Sequence, residues 1–125
     1  MSLCHRAEAV GAARRATAVV LADWQVVDDA AEAVILVVSE LVTNAVEHGQ
    51  PPLTLLLRHL SGHRHGGVRI EVSDGGPASR PGAWASSSDA CERGRGLGIV
   101  EALASSHGSR TQPHRSTYWA ALPAS

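Results

Sequence analysis

The sequence turns on the stretch Ser39-Glu40-Leu41-Val42-Thr43-Asn44-Ala45-Val46-Glu47-His48-Gly49. It closes an apolar run through Ala30, Val34, Ile35, Val38, Leu41, Val42, Ala45 and Val46, a spacing that predicts a helix apolar on most of its circumference and therefore central and covered. Asp28 or Asp29 is placed to cap its start, with acidic groups favourable in the first turn. Gly49 predicts a left-handed stop, and Pro51-Pro52 prevents resumption. Glu40, Asn44 and His48 interrupt the apolar pattern at i, i+4 and i+8, which stacks them on one face. A carboxylate and an amide on a buried face are costly unless a cation or a reacting water meets them. A solvated stripe or local capping accounts for the same spacing equally well.

Upstream of this helix, Arg6 to Trp24 predicts another, with Arg14 and Arg15 outward and Val10, Ala13, Val20 and Leu21 inward. Downstream the period changes. Leu53 to Leu60 has strand character, a turn-rich stretch runs from Ser61 to Gly67, and Val68 to Ser73 alternates apolar and charged residues, which together predict a hairpin. Residues 74–93 are rich in Gly, Pro, Ser and Ala without periodicity, as expected of a functional loop or lid. A glycine-studded turn, Gly94 to Gly98, leads into a helix from Ile99 to about Ser106, and Ser116 to Leu122 reads as a last strand. This order predicts one α+β domain over residues 1–125, a two-layer sandwich with helices on one face of a mainly antiparallel sheet.

Composition narrows the chemistry. All 11 basic residues are arginine and they nearly balance 12 acidic ones, for a formal net charge of −1. That balance argues against a non-specific nucleic-acid binder or a polybasic membrane anchor. The absence of lysine excludes a Schiff base and the lysine of a Walker A loop. With no phenylalanine and one tyrosine, stacking platforms for single strands are not expected. Cys4 and Cys91 match no metal or redox spacing. No signal peptide opens the chain and no apolar run approaches the roughly 18 residues needed to cross a bilayer, so a cytoplasmic home is expected.

Two further motifs carry candidate chemistry. The strand ending in Val72-Ser73 delivers Asp74 into Gly75-Gly76-Pro77, where a carboxylate beside bare backbone could accept hydrogen bonds from a close ligand; an ordinary Asp-Gly turn reads the same way. Gly94-Arg95-Gly96-Leu97-Gly98 precedes a helix and offers backbone N–H groups to an anion such as phosphate, with Arg93 and Arg95 able to add charge. Neither a dinucleotide fingerprint nor a P-loop fits it. His59, His63 and His65 lie across a glycine-rich hairpin without a cysteine, a poor zinc pattern.

Taken in order, these motifs resemble those of the GHKL ATPase superfamily. Residues 39–49 resemble its N-box, Val72 to Pro77 its first glycine box, and Gly94 to Val100 its second. Thr117-Tyr118-Trp119-Ala120 resembles its last strand, so the resemblance runs from about Arg14 to Leu122. Within the superfamily the N-box wording is most similar to the bacterial anti-sigma-factor serine kinases. The resemblance implies a Bergerat-type sandwich with ATP between helices and sheet under a lid. It implies Asn44 as ligand of Mg²⁺, Asp74 as acceptor of the adenine amine with Thr117 in support, and Gly76 as the point of close approach to the base. Gly94, Arg95, Gly96, Leu97 and Gly98 are implied around the phosphates, and Glu40 as general base towards a serine hydroxyl or a water. The implied partners are a sigma factor and an anti-anti-sigma protein of the STAS class, with a homodimer left open and neither nucleic acid nor membrane engaged directly.

The chain departs from the pattern at Ala78, which fills the last position of a first glycine box usually of the form Asp-x-Gly-x-Gly, and at Ser116, where glycine often precedes the threonine. Residues Met1 to His5 leave room for only a brief first strand, or none. The alternative reading is an ATP-dependent binding module with little or no transfer. A detached histidine-kinase catalytic domain is disfavoured by the lack of a dimerisation helix pair with its histidine, and gyrase-like ATPases by the length.

Overall fold

The computed structural model describes residues 1–60, 66–76 and 98–124. The first helix, α1, spans Glu8–Asp23 and buries Ala9, Ala13, Thr17 and Leu21, one residue per turn on a single stripe. Small side chains on that stripe let it lie close against the second helix, α2, which spans Asp28–His48 and buries Val34, Val37, Val38, Leu41, Val42 and Ala45. Alpha2 packs on α1 with one side and on the sheet with the other, which explains its wide apolar surface.

The sheet has five strands, all antiparallel: β1 (Ser2–Leu3), β2 (Leu53–His59), β3 (Gly67–Asp74), β4 (Ser106–Gln112) and β5 (Arg115–Pro123), in the order β1-β2-β3-β5-β4. Alternation along the strands sorts the side chains by face. Leu53 and Leu55 of β2, Val68, Ile70 and Val72 of β3, and Ala120 and Leu122 of β5 are buried beneath the helices. Each valine, leucine and isoleucine among them contributes about 1.5–3 kcal/mol by leaving water. The other face carries Leu56, Arg58, Arg69, Glu71, Thr117 and Trp119, and no described helix covers it. The expected architecture of helices on one side of an antiparallel sheet is thus observed.

Several local expectations are corrected. Alpha2 has Val27 at its N-cap position and no side-chain capping bond; Asp28 sits at φ +55° and Asp29 in the first turn, where their charge still complements the helix dipole. Gly49 is extended, with φ −105° and ψ 179°, and does not adopt the left-handed conformation expected of it. The helix expected over Ile99 to about Ser106 is a helical stretch over residues 98–103, because Ser106 already belongs to β4. Beta4 has no counterpart in the sequence reading. Its residues, Ser-His-Gly-Ser-Arg-Thr-Gln, have no apolar alternation and are nearly all exposed, so pairing with β5 is what makes them a strand. The first strand is indeed brief, two residues at the sheet edge.

Candidate functional site

Polar residues gather where α2, β3 and β5 meet at one end of the sheet. Beta3 ends in Asp74, which pairs with Ser116 near the start of β5. Both are buried, at 4% and 2% exposure, on the sheet face that the helices cover. The Asp74 carboxylate accepts a 2.8 Å hydrogen bond from the Gly76 N–H, which closes the turn after the strand. Gly76 has φ +101°, a conformation that favours glycine, and a Cβ there would come within 3.2 Å of the Pro113 carbonyl oxygen.

The end of α2 is tied into this turn. The Gln50 N–H donates to the Gly76 carbonyl at 3.0 Å, and the Gly75 N–H donates to the Gln50 carbonyl at 2.6 Å. Gly49 therefore has a steric reason to be glycine. A Cβ at that position would overlap the Asp74 carboxylate and lie 2.8 Å from the Asp74 Cβ.

Glu40, Asn44 and His48 share one flank of α2, as their spacing predicts. At 100° per residue the stripe sits between the exposed line of Glu32, Leu36 and Glu47 and the buried line of Val34, Leu41 and Ala45. Glu40 and Asn44 are consequently half-buried, whereas the His48 side chain is only 10% exposed and stands 3.8 Å from the Glu47 carboxylate. His5 adds a tie from the N-terminal segment, its Nε2 3.0 Å from the Ala45 carbonyl oxygen, between Asn44 and His48.

Thr117 pairs with Ser73, and their hydroxyls are 3.1 Å apart. That pair lies on the uncovered face, one register step from Asp74 and on the opposite side of the sheet. Ser116, a departure from the glycine of the motif, is the hydroxyl that shares the covered face with Asp74. Pairing register, which the sequence did not supply, was the missing signal. Gly94, Arg95, Gly96 and Leu97, together with Ala78, lie outside the described residues, as do His63 and His65. Gly98 is exposed and begins the helical stretch.

The donor set around α2 is oxygen-based, a carboxylate and an amide, which suits a hard divalent cation such as Mg²⁺. Among the described residues no group of three His, Cys, Asp or Glu side chains converges on a metal position. A cation held at Asn44 would therefore need most of its ligands from a bound molecule or from water, as magnesium on nucleotide phosphates does. Likewise the buried Asp74 is an acceptor at a depth where only a hydrogen-bonded ligand or the protein's own N–H groups can meet it.

A two-helix layer on an antiparallel sheet, with an N-box asparagine on the central helix and an aspartate closing the central strand, defines a nucleotide-binding domain of the GHKL type. The chain matches the histidine kinase-like ATPase domain family over residues 4–121 and belongs to it. Among curated proteins, none matches the chain significantly. Family membership makes this an ATP-binding domain, with kinase or ATPase chemistry as the general activity. Among the described residues no helix is long and apolar enough to cross a membrane.

Proposed function

We propose that this protein is a Mg-ATP-dependent serine kinase of the anti-sigma type, which holds a sigma factor and phosphorylates a serine of a STAS-class anti-anti-sigma protein. The observation that carries this reading is Glu40. It stands half-buried, one turn before Asn44 on the same flank of α2, where a module that only binds nucleotide has no need of a carboxylate.

In this reading each residue has one task. Asn44 would hold a magnesium ion, which would supply positive charge to the phosphates. Asp74 accepts the exocyclic amine of adenine, and Ser116, its cross-strand neighbour on the covered face, takes the supporting role that the sequence motif suggested for Thr117. Gly76 leaves room at the turn for the base. By the resemblance, Gly94, Arg95, Gly96, Leu97 and Gly98 would offer backbone N–H groups and one guanidinium to the phosphates. Glu40 takes the proton of the serine hydroxyl as its oxygen bonds to the γ-phosphorus and ADP departs.

Calorimetry of ATP binding, with and without Mg²⁺, on the wild type and Asn44→Ala is the first test. Binding should require both the metal and Asn44. Glu40→Ala should keep ATP affinity and lose phosphoryl transfer to a serine-bearing STAS partner; transfer at the wild-type rate would remove Glu40 from the mechanism. If the wild type captures its partners only with ATP bound and transfers no phosphate, the alternative of an ATP-dependent binding regulator replaces the kinase.

A further inference from the structure

Among the described residues no helix covers the sheet face opposite α1 and α2, and nothing in the nucleotide reading uses it. Its centre is Trp119, which lies across β4 over Gly108, its directly paired residue. A Cβ at Gly108 would come within 2.8–2.9 Å of the indole, so the missing side chain is what lets the ring lie flat. The Arg69 guanidinium stacks on the indole at 4.3 Å from the ring centre, and its Nε donates to the Glu71 carboxylate at 3.0 Å. Around this plate is an open depression of about 190 Å³, bordered also by Arg110, Arg115 and Thr117.

Charge on this face is one-sided. Arg58, Arg69, Arg110 and Arg115 project from it, against the single carboxylate of Glu71. Arg58 pairs directly opposite Arg69, whose charge Glu71 already meets at 3.0 Å, so the unmatched positive charge of the face is that of Arg58, Arg110 and Arg115. Among the described residues no carboxylate pairs with Arg58, Arg110 or Arg115; Arg115 makes only a long 3.4 Å bond to the Ser73 hydroxyl. The two helices on the other side carry seven carboxylates against two arginines. The near-neutral net charge of −1 therefore hides a molecule with an acidic helix layer and a basic sheet face.

We propose that this sheet face is a docking site for an acidic segment of a partner protein, with aspartate or glutamate carboxylates paired to Arg110 and Arg115 and the segment's apolar atoms on Leu56. Leu56 is 45% exposed on the same face, paired with Glu71, so one apolar contact lies beside the arginine rim. Two copies meeting by this face would set arginines against arginines, which opposes symmetric self-pairing. The capped indole offers no free face to a nucleic-acid base, since Arg69 already covers it. The site stands on sheet-face geometry alone and is independent of the kinase reading.

The test uses a fluorescein-labelled octaglutamate peptide, followed by fluorescence anisotropy with the intact chain at low salt. Binding is expected to weaken at least tenfold in Arg110→Glu, an exposed position on an edge strand, and to fall as salt rises. Glu71→Gln removes the one opposing carboxylate and should tighten binding severalfold, a change of opposite sign that misfolding cannot imitate. Thermal melts of both variants check the fold directly. The proposal is overturned if the wild type does not bind the peptide, or if both variants bind it as the wild type does. It is overturned equally if octathymidylate binds more tightly than the peptide at the same salt, or if sedimentation shows the chain self-associating through this face with Arg110→Glu restoring the monomer.

Discussion

Gly49→Ala isolates the contact between the end of α2 and the buried Asp74, because two effects on stability oppose each other there. The backbone at Gly49 is extended, with φ −105° and ψ 179°, a conformation any residue adopts. Judged by the backbone alone, alanine should stabilise the protein by about 0.4–1 kcal/mol, by restricting the unfolded chain. The added methyl group, however, would occupy the space of the Asp74 carboxylate. Asp74 has little freedom to yield: it is 4% exposed and its Oδ1 holds the Gly76 N–H at 2.8 Å. Relief requires either a shift of the helix end, an overpacking cost of about 1–3 kcal/mol, or loss of the turn hydrogen bond, about 1 kcal/mol. We expect a net destabilisation of about 1–3 kcal/mol, which lowers the melting temperature of a domain of this size by about 4–12 °C. Urea denaturation and calorimetric melting read both quantities. The double variant Gly49→Ala/Asp74→Ala should recover part of the loss, because the overlapping carboxylate is gone. A Gly49→Ala melting temperature equal to or above that of the wild type would refute the argument.

Two further outcomes follow from the same geometry. Thr17 is fully buried on α1 and its hydroxyl has no hydrogen-bond partner among the described residues, so Thr17→Val should raise stability by about 1 kcal/mol in a urea titration, and a loss would mean that the hydroxyl is satisfied after all. Ser116→Ala should weaken ATP binding in calorimetry whereas Thr117→Val should not, because only Ser116 shares the covered face with Asp74; the reverse pattern would return the supporting role to Thr117.

Helical periodicity and strand alternation were legible in the sequence, because they report which side of an element is covered. The two helices, the hairpin strands and β5 could be read in this way, and so could the polar stripe on α2. What depended on partners could not. Beta4 is a strand only because β5 pairs with it, and its polar, exposed residues leave no local trace. The choice between Ser116 and Thr117 rests on a register one residue wide, and a shift of one residue moves a side chain to the opposite face. Gly49 was read through the commonest reason for a glycine after a helix, whereas its actual reason is a carboxylate 25 positions further along the chain. Glu40 proved half-buried where the spacing suggested burial, since the stripe winds around α2 and only its last member, His48, reaches the covered side.

The paired backbone bonds between Gln50 and the Gly75–Gly76 turn have a mechanical consequence. They splice the end of a 21-residue helix to the end of the central strand, so neither terminus frays alone. The amides of Gln50 and Gly75 should exchange with solvent as a coupled pair, at a rate set by the concerted opening of both elements. Any pull on the chain leaving Gly76 is borne by α2 as a rigid rod, on which Glu40 and Asn44 ride.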